Sequence, residues 1–278
     1  MHPLILKTDG TTEAFDSTKL KLSLEKAGAS VITAEEITNE IYQDTKEPVT
    51  TNTIYKKAFD LLHEKEGRVP ALRYSLRRSI AEFGPTGFPF EQFIATILRK
   101  KGYAVETGRM IKGNCVEHEV DIVAWNETSL ILGEVKFHSE LGSKSDLKVA
   151  LYIKSRFDDL RSAEVLTPEG PRKMTDGLLI TNTKFTQKAI EYGTCAGVHM
   201  IGWNYPSKGS LHDMIFETGI HPVTCLPSLT MPEKTFLAKE RIVDCLTLRE
   251  RSEIFDQLPS LKGKKDQILA DIELVCGQ

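Results

Sequence analysis

The stretch "VEHEVDIVAWNETSLILGEVKFH", residues 116 to 138, constrains the fold more than any other part of the chain. Two apolar arms flank a polar turn at Asn126-Glu127, the pattern of two adjacent strands. Yet Asp121 lies inside the first arm, and Glu134 and Lys136 lie inside the second. Burying an unpaired charge is expensive, so these groups need partners or a task. Strand side chains alternate faces, which puts Glu134 and Lys136 on the same side of one strand. Pairing the arms through the short turn brings Asp121 to the same sheet end. Two hard carboxylate oxygens suit Mg²⁺, which keeps several waters and completes its shell with substrate phosphate. A lysine beside such an ion can orient or deprotonate a water, or stabilise developing negative charge. The ion itself lowers the pKa of water and clamps the phosphate. That is equipment for hydrolysing a phosphodiester. The alternative is a cross-strand ion pair on a wet sheet face, with Asp121 marking a strand end.

The elements around this stretch divide the chain into three expected units. Residues 1–83 read as a small helical unit. Asp16 caps "FDSTKLKLSLEKAG", and Gly28 ends it. "TAEEITNEIYQD" opens with Thr33 and carries Glu36 three residues on, a capping-box pattern. A third helix stops at Gly67, a fourth has Pro70 near its start, and "GPTGFP" (84–89) is a linker by composition. Residues 88–205 run helix, three strands, helix, strand, helix, strand. That order predicts an α/β sandwich with a mixed sheet and helices on both faces. Residues 206–278 are helical and contain a weak repeat: "LPSLTMPEKTFL" (226–237) aligns with "LPSLKGKKDQIL" (258–269).

Composition narrows the class. Hydrophobic residues make up 40% and charged residues 27% of the 278, as in ordinary globular proteins. No apolar run approaches the roughly 20 residues that cross a bilayer, and "MHPLILKTDG" lacks the features of a signal peptide, so a cytoplasmic protein without a membrane partner is expected. Five cysteines with no CxxC pair argue against a zinc ribbon or disulfide framework. The net charge of -3 does not advertise a nucleic-acid binder, so any such role must come from local patches. The helix "SDLKVALYIKSRFDDL" offers one. Lys148, Tyr152 and Arg156 fall at i, i+4 and i+8 on one face, either to contact a phosphate backbone or as a solvated stripe.

The pattern Asp121, Glu134-x-Lys136 resembles the PD-(D/E)xK nuclease superfamily, and within it the Mrr-like restriction endonucleases. The resemblance covers about 88 to 205, including "GLLITNTKFTQKAIEYG" and "VHMIGW". It implies that Asp121 and Glu134 are metal ligands, that Lys136 is the catalytic lysine, and that Glu91 is an additional acidic residue of the site. The opening "ILKTDGTTEAFDSTKL", with "ALRYSLRR" near residue 78, resembles the ATP-cone, a nucleotide-binding domain. That resemblance implies that Lys7, Asp9, Gly10 and Lys19 bind ATP or dATP as an effector, with Arg73, Arg77 and Arg78 adding charge. The glycine-flanked lysines Lys262, Lys264 and Lys265 make the C-terminal unit either a helix-hairpin-helix-like DNA-binding module or an assembly domain.

Together these readings lead to an expected Mg²⁺-dependent DNA endonuclease, restriction-like and regulated by nucleotide. Cutting two strands requires two sites, hence a homo-oligomer. Two other readings stay open: a nucleotide-responsive DNA-binding regulator with an inactive nuclease fold, and a nuclease acting on RNA or branched DNA.

Overall fold

Short polar side chains start most of the helices by satisfying the free amides of the first turn. In a computed structural model, which describes residues 3–6, 12–45 and 47–276, the protein is mixed α/β, with twelve α-helices among the described residues. Its chain groups into two compact units. One runs up to Leu76 and takes in a short C-terminal piece from Glu273; the other is Arg77–Ile272. The boundary therefore falls within a helix, not in the Gly84–Pro89 stretch, and residues 206–272 share a unit with 88–205.

In the first unit, β1 (Leu4–Leu6) pairs antiparallel with β2 (Thr12–Ala14) and parallel with β3 (Val49–Thr50). Asp16 caps α1 (Ser17–Lys26) as expected, its carboxylate accepting from the Lys19 amide. The second helix, α2 (Val31–Asp44), starts at Ser30 rather than at Thr33. The Ser30 hydroxyl accepts from the Thr33 amide, and the Ser30 amide itself donates to Glu66, which fixes the helix start three residues early. α3 (Thr51–Glu66) ends at Gly67, whose φ of 86° strains any residue with a Cβ. α4 (Arg68–Ala81) follows directly. Leu24, Ala34, Ile37, Ala58 and Leu62 make this unit's core.

The second unit is built on a five-stranded sheet. It opens with α5 (Phe88–Lys100), then β4 (Ala104–Lys112), β5 (Glu117–Trp125), β6 (Leu130–Lys136), the short β7 (Lys144–Ser145) and α6 (Leu147–Leu160). A small hairpin of β8 (Val165–Thr167) and β9 (Gly170–Arg172) comes next, then β10 (Asp176–Thr181), β11 (Lys184–Phe185), α7 (Gln187–Ala196) and β12 (His199–Ile201). Sheet order is β12-β10-β6-β5-β4. β5 runs antiparallel to both β4 and β6, whereas β10 is parallel to β6 and β12. The mixed sheet and the element order match the sequence reading. The β8–β9 hairpin and the β7–β11 pair do not appear in that reading.

Helix α6 covers one face of this sheet. Its Ile153, Phe157 and Leu160 join one apolar cluster with Val123, Trp125, Leu130 and Leu132. Fully burying each such side chain contributes about 1.5–3 kcal/mol. Those four strand residues have the same parity as Asp121 and Glu134, so α6 lies over the sheet face that carries the two carboxylates. Gly177 in β10 allows the close approach: a Cβ there would sit 2.3 Å from the Phe157 ring.

The rest of the unit is helical: α8 (Leu211–Thr218), α9 (Met231–Lys239), α10 (Cys245–Glu250), α11 (Pro259–Lys262) and α12 (Lys265–Cys276). The two repeat copies differ locally. In the second, Pro259 opens α11; in the first, the matching Pro227 lies in a turn before α9. The copies are bolted together, because Lys264 of the second donates to both carboxylate oxygens of Glu233 in the first, at 3.1 Å each. Among the described residues, no helix is long and apolar enough to cross a membrane.

Candidate active site

Strand register does most of the assembly. The β5–β6 ladder pairs Trp125 with Leu130 and Ile122 with Gly133, and the next step along sets Asp121 opposite Glu134. At the turn, the Asn126 side chain accepts from the Thr128 and Ser129 amides, locking that register. Beyond Ile122, the Asp121 carboxylate accepts from the Val135 amide at 2.7 Å in place of a backbone partner. Glu134 is buried, with its side chain 6% exposed, and Lys136 donates to its Oε1. The three residues singled out in the sequence thus stand together. Glu91, from the first turn of α5, joins them electrostatically.

Two more carboxyls stand close to this ion pair. Burial, followed by the neighbouring Asp121, Glu119 and Glu134, pushes Glu91 up to about 7, although Lys136 pulls the other way. Burial and Glu134 likewise push Asp121 up to about 6, against the Val135 amide, Lys136 and Arg156. Buried carboxyls with further carboxylates beside them favour a nearby positive charge. Such a set fits a hard divalent cation in kind. Among the described residues no three His, Cys, Asp or Glu side chains are arranged to hold a metal ion. That is compatible with Mg²⁺, which commonly uses one or two carboxylates and takes its remaining ligands from water and phosphate.

The sequence does not reveal the role of Arg156. Helical spacing makes it a surface cation in a stripe, but it turns inward: Nη1 lies 2.5 Å from Glu134 Oε2, and Nη2 donates to the Glu119 carbonyl. Its side chain is 13% exposed. Lys148 and Tyr152, further toward the N-terminus of α6, remain exposed. Three residues beyond Arg156, Asp159 ties α6 to β5 a second time. It accepts from the His118 ring at 2.8 Å and from the Cys115 amide at 2.7 Å, which holds its carboxyl well below the usual range. Residue spacing gave no signal for these long-range ties.

Other polar residues near the site serve structure. His138 and Asn182 exchange hydrogen bonds through the His138 amide and carbonyl, anchoring the chain after β6. Arg77 reaches the same loop through the Leu141 carbonyl at 2.7 Å; burial and then Arg78 hold its pKa below normal. It thus anchors this loop. Of the nucleotide residues, Lys7, Asp9 and Gly10 lie outside the described residues, while Lys19 is exposed and pairs with Asp16 at 3.0 Å. The lysines of the cationic turn near the C-terminus also have partners within the protein. Lys264 binds Glu233, Lys262 pairs with Asp256 at 3.1 Å, and Lys265 lies over the Phe255 ring.

No family model matches the chain. The chain resembles the crystal structure of a protein of unknown function, AF1548, with a TM-score of 0.56 and 27% identity over 69% of this chain and 100% of the other. Two more distant likenesses are to Can2 from Sulfobacillus thermosulfidooxidans in complex with cyclic tetra-adenylate (TM-score 0.31, 14% identity, 75% of this chain and 64% of the other) and to the MspJI restriction endonuclease with a 27-mer oligonucleotide (TM-score 0.28, 12% identity, 66% and 39%). Both scores are too low to show a shared fold. By sequence, an uncharacterized protein from Archaeoglobus fulgidus is 32% identical over 133 residues, spanning 48% of this chain and 71% of that protein. The chain belongs to the same family as this uncharacterized archaeal protein.

Proposed function

We propose that the protein is a divalent-metal-dependent nuclease that hydrolyses phosphodiesters in DNA. The observation that carries this reading is the gathering of carboxyls at the β5–β6 sheet end, where burial first, and neighbouring carboxylates second, push Glu91 up to about 7 and Asp121 up to about 6 beside Glu134 and Lys136. Perturbed carboxyls of this kind concentrate where chemistry is done.

Asp121 and Glu134 would hold Mg²⁺. When bound, the ion supplies Lewis acidity toward the phosphate and makes a coordinated water more acidic. The Lys136 ammonium stands where it can steady negative charge as water attacks phosphorus and the opposite P–O bond breaks in line. Glu91, poised near neutral pH, can take up the water's proton. Exposed Lys148 and Tyr152 offer a cation and an aromatic face to the strand beyond the site.

ATP or dATP binding to the first unit, through Lys19 with Lys7, Asp9 and Gly10, would regulate cutting by favouring one of two conformations. Double-strand scission would need a homo-oligomer, which sedimentation would detect.

The test is cleavage of plasmid and linear duplex DNA, with RNA and branched DNA as further substrates, in Mg²⁺ and in EDTA, with and without ATP or dATP. Mg²⁺-dependent cutting that Asp121→Asn abolishes supports the reading. Tight DNA binding without cutting on any substrate overturns it. One observation favours that second reading, a DNA-binding regulator with an inactive site: both Glu134 oxygens are already engaged by cations of the protein.

A further inference from the structure

We infer that Arg156 is a gate on the metal site: in the free protein its guanidinium occupies the position on Glu134 that a divalent cation must take, and nucleic-acid phosphate draws it away. This rests on the nuclease reading and assigns its regulation.

The partners of Glu134 are the starting point. Oε1 accepts from Lys136, and Oε2 accepts from Arg156 Nη1 at 2.5 Å. With the carboxylate 6% and the guanidinium 13% exposed, little water screens the pair. A dication approaching Glu134 meets two fixed positive charges, and one of them must leave. Lys136 is on the same strand as Glu134, whereas Arg156 reaches in from α6 and has somewhere to go. Its guanidinium lies 5.7 Å from the centroid of the Tyr152 ring, and that ring is 59% exposed. Lys148 is exposed one turn further on. The face of α6 thus leads from the buried carboxylate to solvent past a ring that can hold a cation. The planar guanidinium fork matches phosphate as well as carboxylate, so a bound strand offers Arg156 an equivalent partner.

The consequence is reciprocal. If nucleic acid frees Glu134 for metal, metal must tighten nucleic-acid binding by the same factor. Ligation of the ion by substrate phosphate would also produce that coupling, so the gate is tested where no phosphate is present. Mn²⁺ affinity is measured by calorimetry on the full chain without DNA, for the wild type, Arg156→Ala, Arg156→Gln and Glu134→Gln. Arg156→Gln retains a donor for the Glu119 carbonyl and guards against a folding defect in Arg156→Ala; thermal melting confirms that each variant is folded.

Losing a charge-assisted contact on Glu134 should tighten Mn²⁺ binding on the order of ten- to a hundredfold in both Arg156 variants. Adding a short phosphorothioate DNA duplex should tighten it in the wild type and change it far less in the variants. Folded Arg156 variants that bind Mn²⁺ no better than the wild type overturn the gate and leave the nuclease reading standing, provided that Glu134→Gln weakens binding. Mn²⁺ binding that Glu134→Gln leaves unchanged overturns the metal site and the gate together.

Discussion

Glu134 and Glu233 are both buried glutamates beside a lysine, and their surroundings give them opposite characters. Around Glu233, donors exceed charges. Burial alone would raise its pKa, but the Thr230 amide, the Ser260 and Thr230 hydroxyls and Lys264 hold it down at about 2. With its side chain 2% exposed, this carboxylate is a finished bolt between the two repeat copies. Around Glu134, carboxylates exceed donors. Lys136 and Arg156 neutralise it, but Asp121 and Glu91 stand near it with their pKa values pushed up to about 6 and about 7. Removing a partner from a satisfied buried charge destabilises the fold, whereas a crowded charge costs stability and persists where a task requires it.

Substitutions can break this contrast. The largest effect is expected for Lys136→Ala. Cleavage rate should fall on the order of 10²- to 10⁴-fold in protein that still folds, with some loss of melting temperature because Glu134 keeps only Arg156 as its cation, which a parallel activity and thermal-melting series would show. Glu233→Ala should leave chemistry alone and destabilise the fold by about 1–3 kcal/mol, because it removes the acceptor of the Thr230 amide and of Lys264; urea unfolding measures this. The pH dependence follows from the sign of the shift. With its folded pKa depressed, Glu233 contributes its stability fully above about 4.5 and loses it as pH falls toward about 2, so wild type and variant should converge in acid.

Glu91 should behave in the opposite way. Its folded pKa is raised, so the native state holds the proton more tightly. Stability is therefore lost as pH rises from about 4.5 through about 7, and stays lost above it. Glu91→Gln should then be more stable than the wild type at pH 8, by about 1 kcal/mol after allowing for partial solvent exposure, and equal to it below pH 4. The smallest effect sharpens the comparison from the other side. Millimolar Mg²⁺ should raise the wild-type melting temperature by a few degrees and leave Glu134→Gln unmoved, as scanning fluorimetry would detect.

The two clusters were unequally legible in the sequence. Asp121, Glu134 and Lys136 could be read because strand alternation and a short Asn126 turn are local rules, and local rules fix register. Arg156 was legible only as part of a stripe. Its inward turn depends on how α6 seats on the sheet, and the near-contact of Gly177 with Phe157 sets that seat from a distant strand. Nothing in the repeat itself indicates that Lys264 binds Glu233, 31 positions earlier. The start of α2 shows a smaller case of the same limit. Thr33 with Glu36 matches a cap pattern, yet Ser30 holds the cap because its amide is also tied to the distant Glu66. Spacing predicts contacts within an element or across a tight turn. Packing between elements chooses among several side chains that are equally plausible by spacing.

The most direct test of the account is urea unfolding at pH 8 of Asp121→Asn beside Glu233→Gln, without added metal. Asparagine keeps an oxygen for the Val135 amide and removes only the charge. A crowded functional site predicts that Asp121→Asn is as stable as the wild type or more so, while Glu233→Gln is clearly weakened. If Asp121→Asn loses as much stability as Glu233→Gln, the carboxylates at the β5–β6 end are a structural ion-pair cluster like the one at Glu233, and the account is wrong.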